Sequence, residues 1–269
     1  MPTVRAGQIN IHCEVLGEGE PLLLIPGMGI AAGTCFFRQA AGLAREYCVI
    51  AIDNRGTGRS DQPDAPYSME TMADDAAALL AALRIDRAHI YGISMGGMIA
   101  QHLALRHPEA AASLVLACTS CGGRHSEPPD REYVASVFDT QGTPEDRLRG
   151  RLHFLFTEGF VGSHPDVVER YISLHLDSMA PPHTYIRQAE AVIMHDTYDQ
   201  LPGLGLPTLV IAGEADRTQP IHNSRALASR IPNAELLVMG GLRHFLAIEC
   251  PDELNRAMIQ FLRQHPLGG

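Results

Sequence analysis

No stretch of this chain approaches the roughly 18–20 consecutive apolar residues of a membrane-spanning helix, so a spanning protein is not expected. Met1-Pro2-Thr3-Val4-Arg5 leads into polar sequence rather than an apolar run, which gives no sign of a cleaved secretory leader. Basic residues are in deficit. With 21 of them against 31 acidic ones, the formal net charge is −10. Nucleic acids and anionic membranes attract basic surfaces, so neither is expected as a partner. Metal-binding spacings are also missing. There is no H-E-x-x-H, and Cys118-Thr119-Ser120-Cys121 has no second C-x-x-C to complete a zinc site. A redox pair would open a helix, whereas Gly122-Gly123 follows here. The six cysteines (13, 35, 48, 118, 121 and 250) are scattered, which predicts free thiols in a reducing cytoplasm. No internal repeat or low-complexity tract is present. Neither a metal nor a cofactor is expected.

The chain does contain an alternation of strand and helix. Residues 3–16 alternate around Ala6-Gly7-Gln8 and predict an antiparallel hairpin. Apolar runs then recur at Leu22–Ile25, Cys48–Ile52, His89–Ile93, Leu114–Ala117, Leu209–Ala212 and Leu236–Met239. Runs uninterrupted by polar residues fit strands buried on both faces. Helical patterns lie between them: Met69 to Leu83, with Ser68 placed as a cap, and Asp252 to Leu262, with Pro251 at its start. Such alternation predicts a mostly parallel sheet flanked by helices. It breaks between about Gly122 and Gln200, where Arg147–Phe156 and Val167–Leu176 are helical and Pro128-Pro129 and Pro181-Pro182 punctuate the chain. The expected organisation is a core of residues 1–121 and 200–269 carrying a helical cap over 122–199.

Gly92-Ile93-Ser94-Met95-Gly96 matches G-x-S-x-G, a nucleophile elbow. A serine that must stand clear of its backbone on a sharp strand-to-helix turn crowds the positions two before and two after it. Glycine at both removes the Cβ clash. The context has the required order, with Arg87–Tyr91 as a strand and Gly97–Arg106 as a helix ending before Pro108. Such a serine needs a base, and the base needs an acid to orient it, in the chain order Ser, Asp or Glu, His. Asp216 follows the strand Leu209–Ala212, with Glu214 as its near competitor. His244, among 13 histidines, is the one on a loop after the last strand; His222 is placed to support Asp216. The oxyanion of acyl transfer needs backbone N–H donors. Met95, after the serine, supplies one. Met28, in the loop after Leu22–Ile25, is the candidate for the other, with Gly29 next. A rival reading competes for that loop. Gly27-Met28-Gly29-Ile30-Ala31-Ala32 matches G-x-G-x-x-A, and Asp53 stands where a ribose-binding acid would, although this reading uses none of Ser94, Asp216 or His244.

With these residues in place, the chain resembles the α/β-hydrolase family over essentially its whole length, in its esterase and 3-oxoadipate enol-lactonase-like branch. Asp53-Asn54-Arg55-Gly56-Thr57-Gly58-Arg59-Ser60 is similar to the family's structural D-x-R-G-x-G-x-S turn, and Arg243-His244-Phe245 with Glu249 resembles its base loop. Pro26-Gly27 departs from the usual His-Gly, and Arg243 stands where many relatives have Gly. The latter puts a cation either by the base or in solvent. The resemblance implies an α/β-hydrolase fold with a helical cap and a Ser94–His244–Asp216 triad that cleaves a small carboxylic ester or lactone. Carbon–carbon bond hydrolases, acyltransferases and triad-retaining small-molecule receptors remain as alternatives. Phe154, Phe156, Met179, Tyr185 and Met194 of the insertion are the candidates to line an apolar pocket, or else pack the insertion onto the core.

Overall fold

The computed structural model describes residues 3–267. Eight strands form one sheet: β1 (Thr3–Ala6), β2 (Ile9–Leu16), β3 (Glu20–Ile25), β4 (Tyr47–Ile52), β5 (Ala88–Ile93), β6 (Ala111–Ala117), β7 (Thr208–Gly213) and β8 (Ala234–Met239). Their spatial order is β1-β2-β4-β3-β5-β6-β7-β8. β1 pairs antiparallel with β2 and β2 antiparallel with β4, while all later pairs are parallel. The hairpin turns at Gly7, whose φ of +57° suits glycine.

Side chains alternate across the sheet, as the two-residue period of a strand requires. Leu23, Ile25, Ile50 and Ile90 enter one apolar layer with helices Met69–Ala82 and Met95–Arg106. Leu22, Leu24, Val49 and Tyr91 enter the other with helix Pro251–Arg263. Ser68 caps its helix by accepting from the Thr71 N–H at 3.1 Å. β5, β6 and β7 are buried along their whole length, as uninterrupted apolar strands predict. β8 departs from that expectation: Leu236 and Val238 are exposed, because this strand forms the sheet edge and only one neighbour covers it. Between β6 and β7 the α-helices are Arg131–Val137, Pro144–Leu155, Glu158–Ser163, Pro165–Asp177 and Pro182–Met194.

The strand order places the site. From β3 the chain moves outward to β4, then returns past β3 to β5. The carboxyl ends of β3 and β5 therefore flank the topological switch point, where open α/β sheets bind ligands. The loop 26–29 leaves β3 there and Ser94 leaves β5.

Candidate active site

Ser94 has φ 56° and ψ −123°, in the region that residues with a Cβ rarely adopt. Its neighbours explain the glycines around it. A Cβ on Gly92 would overlap the Gly96 carbonyl, and one on Gly96 would overlap the carbonyl of Ile25. The turn is held by the Ser94 N–H donating to the Ala117 carbonyl at 2.9 Å and by Thr119 Oγ1 donating to the Ser94 carbonyl at 2.7 Å. Met95 opens the following helix, so its N–H precedes any intrahelical acceptor and lies at the positive end of the helix dipole.

The Pro26-Gly27-Met28-Gly29 loop passes beside the serine; a Cβ on Gly27 would stand 3.4 Å from that of Ser94. Asn54 Nδ2 holds the loop by donating to the Pro26 carbonyl at 3.0 Å. The Gly29 N–H is already engaged, donating to Gln188 Oε1 at 2.8 Å. Gln188 Nε2 in turn donates to the Arg55 carbonyl and to Thr57 Oγ1, both at 2.8 Å. Met28 lines one cavity with Ser94 and Met95. Asp53 is buried and engaged as a structural brace rather than offered to a ribose. Its carboxylate accepts from the Ala32 N–H at 2.8 Å and the Arg59 N–H at 3.0 Å, and pairs with His12 Nδ1 at 3.1 Å. It braces the structural turn, which disposes of the dinucleotide reading.

Asp216 lies on the loop after β7 and His244 on the loop after β8; both are buried. Asp216 Oδ2 is 2.7 Å from His244 Nδ1. Oδ1 accepts from the Thr218 N–H at 2.7 Å, Thr218 Oγ1 at 2.9 Å and the Gln219 N–H at 3.0 Å. Thr218 Oγ1 also lies 2.7 Å from His244 Nδ1. A carboxylate held this way fixes Nδ1 as the protonated nitrogen and leaves Nε2 as the basic one. His244 lines the same cavity as Ser94, so the arrangement can move a proton between a serine hydroxyl and a bound ester. Glu214 is exposed and accepts from the Gly241 N–H at 2.9 Å. His222 is exposed on helix Ile221–Arg230, and Thr218 and Gln219 support Asp216 instead. The Asp216-to-Thr218 bond is an Asx turn, a local pattern visible in the chain, yet the sequence reading missed it.

Cys118, Asp216 and His244 place potential ligand atoms within 4.8 Å of one another. Asp216 Oδ2 and His244 Nδ1 are already paired with each other at 2.7 Å, and burial and the Asp216 charge push the Cys118 thiol well above its ordinary value. Among the described residues all six cysteines are free. Arg243 points neither at the base nor into solvent. Its guanidinium donates to the carbonyls of His153 and Phe156 and so ties down the end of helix Pro144–Leu155.

The cavity encloses about 390 Å³ between the sheet edge and the helical insertion. Of the five apolar candidates, only Tyr185 faces it. Phe154 packs on Tyr133 and beneath the Arg217 guanidinium, and Phe156 packs among Phe160, Tyr171 and Phe245. Met179 and Met194 are exposed, at 42% and 81%. Helical periodicity identifies a face but not what that face packs on, and four of the five assignments fail for that reason. The insertion contributes Tyr133, Leu148, Arg151, His175 and Val192 to the wall instead.

A model of the alpha/beta hydrolase fold family matches residues 20–251. The chain belongs to that family. RutD from Azorhizobium caulinodans, provisionally named a carbamate hydrolase, is 31% identical over 97% of this chain and 98% of its own length. The 3-oxoadipate enol-lactonase 2 of Acinetobacter baylyi is 28% identical over 95% of this α/β hydrolase and 94% of its own length. Among solved structures, an N-acyl homoserine lactone degrading enzyme superposes with a TM-score of 0.84 at 31% identity, covering 97% of this chain and all (100%) of that one. The enol-lactonase from Burkholderia xenovorans gives 0.87 at 25% identity with the same coverage.

Proposed function

We propose that this α/β hydrolase is a serine hydrolase that cleaves small carboxylic esters or lactones through an acyl-enzyme. The carrying observation is the buried Asp216–His244 pair, 2.7 Å apart, whose His244 shares a cavity with a serine in strained elbow geometry. In this reading Ser94 Oγ attacks the carbonyl carbon while His244 Nε2 takes its proton. The N–H groups of Met28 and Met95 receive the oxyanion. His244 returns the proton to the leaving alkoxide, then activates the water that releases the acid. Residues 122–199 act as a cap that closes the cavity over the reacting bond and shapes its acyl side. The relatives support the substrate class, since enol-lactonases and a lactone-degrading enzyme are among them. The free thiols fit a reducing cytoplasm, and no helix among the described residues is long and apolar enough to cross a membrane. The test is a panel of aryl esters, lactones and an aryl carbamate, assayed with the wild type and Ser94→Ala. Ester or lactone turnover that Ser94→Ala abolishes supports the proposal. Turnover of the carbamate alone would move the substrate class. Binding of panel members without turnover would make the protein a receptor.

A further inference from the structure

One side chain of the cap reaches into the loop that carries an oxyanion donor. Gln188 lies on helix Pro182–Met194 and is fully buried. Its Oε1 accepts from the Gly29 N–H at 2.8 Å. Its Nε2 donates to the Arg55 carbonyl and to Thr57 Oγ1, both at 2.8 Å. The amide has a single workable orientation, since the Gly29 N–H only donates and the Arg55 carbonyl only accepts. Its anchor is itself held. The Arg55 guanidinium forks onto the Asp75 carboxylate, with Nη2 donating to Oδ1 at 2.7 Å. Thr184, one helical turn before Gln188, donates to the Gly56 carbonyl at 2.8 Å. Gln188 therefore ties the oxyanion loop to the turn that begins at Asp53.

The loop needs such a tie. Pro26-Gly27-Met28-Gly29 has a glycine on each side of Met28, which leaves the backbone there free to rotate. Gly29 takes a φ of +67°, and a Cβ on it would stand 2.5 Å from Tyr185 Cδ2 and Cε2. The Met28 N–H belongs to the Gly27–Met28 peptide group. The peptide group before it is held from the core, where Asn54 Nδ2 donates to the Pro26 carbonyl at 3.0 Å. The peptide group after it is held from the cap, by Gln188. The donor is thus clamped on both sides. An oxyanion donor counts for most when it is aimed before the charge develops. We propose that Gln188 is a positioning residue: it holds the Met28 N–H in its oxyanion-binding orientation, so that docking of helix Pro182–Met194 completes the oxyanion hole. This rests on the ester-hydrolase reading above.

The test compares wild type with Gln188→Met and Gln188→Glu on an aryl acetate. Methionine keeps the side-chain length and loses the amide. Gln188→Met should lower kcat about 10–100-fold, less than the roughly 10²–10³ of removing a donor outright, with KM within about threefold. An aryl trifluoromethyl ketone forms a tetrahedral adduct with the serine and places its oxyanion in the hole. Its affinity should fall by the same factor as kcat/KM, which a side chain that only packs the cap would not produce. Gln188→Glu keeps an acceptor for Gly29 but sets a carboxylate against the Arg55 carbonyl. Its kcat relative to wild type should rise as pH falls, because the protonated carboxyl regains a donor on that side. Undiminished kcat in Gln188→Met, or a loss confined to KM with ketone affinity unchanged, overturns the proposal. If Gln188→Met does not fold, the pH dependence of Gln188→Glu decides, and a flat ratio to wild type overturns it. Hydrogen exchange separates the clamp from the catalytic reading. The Met28 and Gly29 amides should exchange about 10-fold faster in Gln188→Met whatever is turned over. Unchanged exchange contradicts the clamp, whereas turnover that survives in Ser94→Ala contradicts the ester-hydrolase reading.

Discussion

Replacing Asp216 by asparagine tests the hydrogen-bond pattern around His244 more sharply than deleting the side chain. Three donors converge on Oδ1: the Thr218 N–H, the Thr218 hydroxyl and the Gln219 N–H, at 2.7 to 3.0 Å. Two are main-chain groups that cannot turn away. An asparagine must therefore place its carbonyl oxygen on that side and its NH2 on the other, facing His244 Nδ1. That nitrogen then becomes an acceptor, and the ring proton moves to Nε2. A ring protonated at Nε2 cannot take a proton from Ser94. The wrong-tautomer cost in such triads is about 10⁴ in kcat, or about 5.4 kcal/mol. Glu214→Gln changes an exposed side chain that accepts a single bond from Gly241, so it should leave kcat within about twofold. Stopped assays on one aryl ester, with circular dichroism to confirm folding, compare the two variants. A larger loss in Glu214→Gln than in Asp216→Asn would refute the assignment of the acid.

Two further predictions concern the oxyanion loop and acid stability. Met28→Ala keeps the main-chain N–H and should retain most of kcat, whereas Met28→Pro removes it and should lose about 10²–10³-fold; a folded proline variant with full activity would place the donor elsewhere, and not at Gly29, whose N–H is engaged by Gln188. His175 and His195 are both pushed down to about 4, His175 by burial and by Arg151, His195 by burial and by His102. Below their ordinary value of 6.5 the unfolded chain binds protons that the folded chain refuses. Their contribution is therefore complete above pH 6.5 and is lost as pH falls towards 4, by up to about 1.4 kcal/mol per pH unit for each imidazole. Melting temperature should fall steadily from pH 6.5 to 5, above the carboxylate range, and a flat profile would contradict the shifts.

Local chemistry was legible in the sequence, while placement set by distant packing was not. The elbow could be read because one of its two clashes, Gly92 against the Gly96 carbonyl, is between residues four apart, whereas the clash of Gly96 with Ile25 is set by the sheet. The hairpin at Gly7 and the cap at Ser68 are equally local. The exposure of Leu236 and Val238 depends on β8 being an edge, which is a property of strand order rather than of the apolar run itself. Gln188 acts, and Arg151 and His175 line the cavity, only because the insertion folds back on the sheet: Gln188 reaches the Gly29 N–H across 159 positions of chain. Phe154 and Phe156 carry the bulk of a pocket wall, yet neighbouring aromatics and Arg217 occupy them. Asp216 could be placed from its loop, but its preference over Glu214 becomes physical only with the three donors on Oδ1.

The central claim is that Ser94, and no other side chain, becomes acylated. A fluorophosphonate probe followed by peptide mass spectrometry measures this directly, because the probe phosphonylates a serine only where a base and an oxyanion site are assembled around it. The account predicts one adduct per chain, on the peptide containing Ser94, lost in Ser94→Ala and strongly slowed in Asp216→Asn. An adduct on another residue, with ester turnover retained in Ser94→Ala, would contradict it.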